Sequence, residues 1–195
     1  HPLEANWSQS FRVVGDVTGP EQGSAAELRI VSPGYFDALE VEVLDGRSFT
    51  ARDDIDALGA MMVNEAFARE LGGRVVGRQI QSGTGRFLYG DAVPNTFTIV
   101  GMVRHERSRG LEQATGPAVY MTTRQFPQDA FSVLARTEGD PMAIAAEVRQ
   151  ALRALNPAIT LNQPTSVGAL LADQLVARSV TSQVTSGFAM AGLAL

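Results

Sequence analysis

The chain has 195 residues, with sixteen basic against twenty-one acidic side chains, a formal charge of −5 and no cysteine. That length allows one large domain or two small ones. The acidic balance, with no basic cluster longer than the broken Arg104-His105-Glu106-Arg107-Ser108-Arg109 run, argues against a nucleic-acid partner. Without cysteine there are no disulfides or thiolate metal sites, so a reducing and an oxidising compartment suit the chain equally.

In chain order, a polar, glycine-punctuated start holds one alternating stretch, Ser10 to Val14, that predicts a strand. Glu27 to Ser32 alternates again. Ser32-Pro33 predicts a helix start with proline at the first helical position, and the helix runs to Leu39 with Tyr35, Phe36 and Leu39 on one face. Glu40 to Leu44 predicts a strand and Asp45-Gly46 a turn, which makes the local unit β-α-β.

A new unit is expected from Gly59. Ala60 to Val63 predicts a short buried strand, Asn64 an N-cap, and Glu65 to Leu71 a helix ended by Gly72-Gly73, with Ala66, Phe67 and Leu71 as its apolar face. Gly77 to Ser82, Arg86 to Tyr89, Thr96 to Val103 and Ala118 to Thr122 predict four strands, with a hairpin turn at Ser82 to Gly85. The last third repeats the earlier pattern: Phe131 to Thr137 as a strand, Asp140 capping a helix from Pro141 to Leu155, and Ala158 to Leu161 as a strand. Ile144, Val148, Leu152 and Leu155 recur at amphipathic spacing. Ser166 then caps a long helix through Leu170, Leu171, Leu175, Val180 and Val184 toward an uncharged run from Gly187 to Leu195. Two β-α-β units around an insertion predict an α+β chain with a split ferredoxin-like lobe.

Tests for chemistry find little material. Neither Gly15 to Gly19 nor Ser82 to Gly85 carries the Gly-Lys-Ser/Thr ending of a P-loop, and no Gly-x-Gly-x-x-Gly opens a helix. The histidines are His1 and the loop residue His105. Asp53, Asp54 and Asp56 lack the glycine and closing glutamate of a calcium loop, so Thr50 to Asp56 reads as a solvated connection. Ser108 lies three residues from His105, but without cysteine or lysine a nucleophile with its base is poorly supported. No catalytic, cofactor or metal residue is assigned.

Three blocks carry a family resemblance. Ser32, Pro33, Tyr35, Phe36, Gly46, Arg47 and Phe49 form the first. Val63, Asn64, Glu65, Ala66, Ala68 and Leu71 form the second, and Val76 to Ile80 the third. With Ile99 to Val103, Gly110-Leu111, Pro117 and Tyr120, their order is similar to that of the MacB-type ABC transporter permeases of the MacB/FtsX-like family, in the periplasmic core domain. Trp7 to Gly15 also resembles the entry segment of one bacterial permease subgroup. One departure is Arg74-Val75, where the family usually has Asn-Pro.

The resemblance implies a discontinuous porter-type lobe and an inserted β-rich Sabre-type lobe, and composition independently sets the boundaries near 58 and 127, which gives 1–58 and 128–186 for the first and 59–127 for the second. It also implies that 187–195 begins a transmembrane helix, whereas the apolar run alone reads as a helix tail packed on its own core. It further implies a non-enzymatic domain at the periplasmic face of the bacterial inner membrane, transmitting conformational change from a cytoplasmic ATPase in efflux or lipoprotein release. The implied partners are that ATPase, a second permease subunit, and an adaptor, an outer-membrane channel or a lipoprotein. A ligand- or peptide-binding module with a site between the lobes is the alternative, and a hydrolase using His105 a distant third. For partner contacts the loop residues Arg104, Arg107 and Arg109 and the tip residues Phe87, Leu88 and Tyr89 are the candidates.

Overall fold

A computed structural model describes residues 7–15, 23–82, 95–104, 116–128, 130–140, 142–160, 162–166 and 168–169. The chain divides into two units, His1–Leu134 and Ala135–Leu195.

In the first unit the strands are β1 (Trp7–Val13), β2 (Ser24–Val31), β3 (Val43–Gly46), β4 (Ala60–Asn64), β5 (Gln79–Ser82), β6 (Thr96–Val103) and β7 (Ala118–Thr122). They form one mixed sheet in the order β3-β6-β4-β7-β2-β1-β5, and a further pairing of β5 with β6 closes all but β3 into a ring. β2 with β7 and β4 with β6 are parallel, and the remaining pairs antiparallel. Ring closure leaves few unpaired edges, the usual liability of a sheet.

The interior is apolar because every ring strand sends alternate side chains into it: Phe11, Leu28, Met61, Ile80, Phe97 and Val119 belong to one buried cluster. A short helix α2 (Glu65–Glu70) adds Phe67, whose ring meets Phe11 edge-on at 6.0 Å. The outer face of β2, β4, β6 and β7 carries a second cluster, with Val31, Met62, Val103 and Tyr120 under Phe36 and Phe49. β4 and β7 are therefore buried along their whole length.

β6 serves both faces through a bulge. Met61 pairs with Ile99 but Met62 with Gly101, so Val100 is the extra residue. Phe97 and Ile99 thus pack inward, while Val103 joins the outer cluster despite its even spacing in sequence.

The expected lobe boundary near residue 58 falls inside this sheet, since β4 lies between β6 and β7 and β7 takes β2 as its neighbour. The 59–127 stretch therefore shares its sheet with the strands before it. The physical reason is that β4, apolar on both faces, needs cover from both.

Three local expectations shift. The first helix, α1 (Tyr35–Ala38), is capped by Gly34 at φ 88 rather than by Ser32, whose carbonyl instead accepts the Tyr35 N–H at 3.1 Å. After it, Glu40 takes φ 53 and the Val41 N–H returns to the Phe36 carbonyl at 2.8 Å, which displaces the next strand to Val43. Asp45-Gly46 is not a turn but the end of β3, paired with β6. Arg86 to Tyr89 and the hairpin turn after Ser82 lie outside the described residues.

In the second unit, helix α3 (Ala145–Leu155) begins later than the sequence predicts. Asp140 does accept the Met142 N–H at 2.9 Å, but through a turn that precedes the helix. Ala158 enters a turn at Asn156-Pro157, its N–H donating to the Asn156 side chain at 2.9 Å, so no strand starts there. Phe131 to Thr137, which runs across the division between the units, carries no strand pairing among the described residues either, because alternation specifies a face without supplying a neighbouring strand. Ser166 accepts the Ala169 N–H at 3.1 Å as a cap would, and the residues after Ala169 lie outside the described set.

Candidate interaction surface

Of the six candidate contact residues, Arg104 alone is described; Phe87, Leu88, Tyr89, Arg107 and Arg109 lie outside, as do His105 and Ser108. Arg104 follows β6 and is committed locally. Its backbone N–H donates to the Glu42 carbonyl at 2.8 Å, and its Nε and Nη2 donate to Glu42 Oε2 at 2.9 and 2.7 Å. These hydrogen bonds, followed by the charge of Glu42, hold the guanidinium above its ordinary range. Its charge is thus answered within the chain, although both side chains face solvent.

Two fully buried polar side chains serve the backbone at the ends of β4. Asn64 is fully buried at the end of β4. Its Oδ1 accepts the Phe67 N–H at 2.9 Å, capping α2, and the Ala118 N–H at 3.0 Å, while its Nδ2 donates to the Gly116 carbonyl at 2.9 Å. One amide therefore stands in for a peptide group beside β7. At the other end of β4, buried Gln125 accepts the Ala60 N–H and donates to the Leu58 carbonyl, both at 3.0 Å.

The segment from Gly46 to Gly59 is the second fixed region. Arg47 Nη1 and Nη2 donate to the two Asp53 carboxylate oxygens at 2.8 and 2.7 Å, and Thr50 donates to the same carboxylate from its N–H at 2.7 Å and its Oγ1 at 3.0 Å. Burial pushes the Asp53 carboxyl up. The Arg47 hydrogen bonds, those from Thr50 and the Arg47 charge together outweigh it, so the group titrates below the ordinary carboxylate range. Both oxygens are occupied by the chain itself, consistent with a structural rather than a calcium-binding role. Among the described residues no three His, Asp or Glu side chains converge to hold a metal ion.

Sequence reasoning treats 50–56 as a solvated connection, and the structure shows a pinned one. The longer segment to Gly59 carries two exposed apolar side chains, Ile55 and Leu58. The one available signal was the pair Ile55 and Leu58 set among Arg52, Asp53, Asp54 and Asp56.

A mixed α/β domain built on a closed sheet, with its polar groups spent on holding backbone, is the class that these features define. Residues 5–151 match the MacB-like periplasmic core domain, and the chain belongs to that family of ABC transporter permease domains. Among solved structures, it is similar to the periplasmic region of MacB from Actinobacillus actinomycetemcomitans, with TM-score 0.50 and 14% identity over 76% of this chain and 63% of that one. It is also similar to the extracellular domain of the noncanonic ABC-type transporter YknZ from Gram-positive bacteria, with TM-score 0.50 and 18% identity over 78% of this chain and 73% of that one. At these identities the likeness is one of fold, and the chain spans less than two thirds of the MacB region. No curated protein matches the sequence. Among the described residues no helix is long and apolar enough to cross a membrane.

Proposed function

We propose that this domain stands at the extracytoplasmic face of a bacterial inner membrane as part of a permease, and relays motion driven by a cytoplasmic ATPase to partners outside. ATP hydrolysis belongs to that ATPase, and the domain itself is non-enzymatic. The observation that carries this reading is the family match over residues 5–151. Mechanical suitability supports it. A closed ring in which β4 is buried on both faces and tied at each end by an amide, Asn64 and Gln125, resists local opening.

In this reading the permease works as a homodimer or heterodimer, and its outside partner is an adaptor, an outer-membrane channel or a lipoprotein.

The domain carries no cysteine of its own, so a single reporter can be placed in it once any cysteine elsewhere in the permease is replaced. Glu70→Cys on the exposed side of α2, placed in the full-length permease, is expected to react with a membrane-impermeant maleimide in intact spheroplasts. Labelling only after lysis would contradict the location. With a spin label at the same site, the distance between subunits of the permease dimer is expected to change between the nucleotide-free and the vanadate-trapped ATPase. An unchanged distance distribution would contradict the relay.

A further inference from the structure

Leu58 exposes 89% of its surface and Ile55 43%, on a segment held at both ends. At the start, Phe49 is buried, and the Asp53 carboxylate gathers Arg47 and both donors of Thr50. At the end, the Leu58 carbonyl accepts from Gln125 and the Gly59 carbonyl accepts the Thr98 N–H at 2.8 Å. Between them two turns close, Asp53 N–H to Thr50 and Ala57 N–H to Asp54, each at 3.2 Å.

Single exposed leucines are ordinary on protein surfaces. One whose own carbonyl is held by Gln125, with the Gly59 carbonyl bonded to β6 and the Ala57 N–H closing a turn on Asp54, is different, because docking it would cost little further ordering of the loop. Asp54 and Asp56 flank Ile55, and neither makes an ion pair among the described residues. Asp53 is already answered by Arg47, so even with Arg52 exposed on the same segment the open charge is acidic.

We propose that Leu58 and Ile55 form a docking knob for a protein partner whose apolar socket is bordered by lysine or arginine. The acidic flanks decide between this and a lipid surface. Sinking Leu58 among head groups would bring Asp54 and Asp56 against anionic lipid and strip them of water. A basic rim gains from the same two carboxylates and steers the encounter. This inference goes beyond the relay reading and rests only on its extracytoplasmic location: the knob can fail while the location and the relay hold.

The test uses the full-length protein in its host, with the photo-crosslinking residue p-benzoylphenylalanine in place of Ile55. The expected result is an adduct with one extracytoplasmic protein, whose cross-linked peptide maps to apolar residues flanked by lysine or arginine. In that background Leu58→Asp is expected to lower the adduct yield about tenfold, and Asp54→Lys with Asp56→Lys to do the same. Leu58→Asp should leave the thermal midpoint unchanged, since the side chain already stands in water. If Leu58→Asp does shift it, the double lysine variant decides. An adduct with lipid alone, with a second copy of this chain alone, or with nothing overturns the proposal, as does a yield indifferent to the charge-reversed variant.

Discussion

Gly46 and Gly101 face each other across β3 and β6, and neither has room for a side chain. A Cβ on Gly46 would lie 2.3 Å from the Val100 carbonyl oxygen, and a Cβ on Gly101 2.2 Å from the Arg47 carbonyl oxygen. Val100 is the bulged residue of β6, and its carbonyl also accepts the Arg47 N–H at 2.9 Å. Two sequence blocks far apart in the chain thus form a single backbone contact. Gly101→Ala is expected to cost about 2–3 kcal/mol, the upper range for overpacking. Hydrogen exchange should show the loss concentrated in β3, with the Arg47 amide losing its protection first. An Arg47 amide as protected as in the parent would refute the steric argument.

Asn64 makes three bonds to backbone from a fully buried position. Asn64→Ala removes a helix cap, about 1 kcal/mol, and leaves the Ala118 N–H and the Gly116 carbonyl without this partner, at about 1–3 kcal/mol for a buried group. Urea unfolding should show a loss of about 3 kcal/mol in all. A loss below 1 kcal/mol would mean that water replaces the amide.

The Asp53 clamp gives stability a pH dependence whose sign follows from its lowered pKa. The contribution is complete above the unfolded value of about 3.9 and disappears as the pH falls through the lower folded value. Asp53→Asn should therefore be less stable than the parent by about 1–2 kcal/mol at pH 7, toward the low end because Arg47 is half exposed and solvent screens the pair. That difference is expected to hold above about pH 5 and narrow below about pH 4. Paired urea titrations across this range measure it, and a gap that stays constant to pH 2 would show that the charge plays no part.

Glu40 takes φ 53 at the end of α1, where the Val41 N–H reaches back to Phe36. A helix end of this kind favours glycine. Relief of about 1–2 kcal/mol of left-handed strain against about 0.5–1 kcal/mol of glycine entropy leaves Glu40→Gly more stable by about 0.5–1 kcal/mol. A lower thermal midpoint than the parent would show that the glutamate side chain earns its place through contacts.

Much of the family pattern visible in the sequence proves to be folding machinery. Phe36 stacks edge-on to Tyr120 at 4.9 Å, Gly46 fits the bulge, Arg47 holds Asp53, and Asn64 caps α2 while bonding β7. The contact candidates chosen from loop composition fare differently. Arg104 is spoken for by Glu42, and the pinned segment carrying Leu58 reads in sequence as a mere connection.

What the amino-acid order determined by itself was local: strands at Thr96–Val103 and Ala118–Thr122, a cap at Asn64, and glycines ending the second helix all follow from forces acting within a few residues. Only the tertiary structure decided that β5 returns to β6 and closes a ring, that residues on both sides of position 58 share it, and that Asp53 is buried with a partner six residues away. Those outcomes depend on which strands meet. A strand's own pattern fixes the face that it buries, while its neighbour is chosen by the rest of the chain.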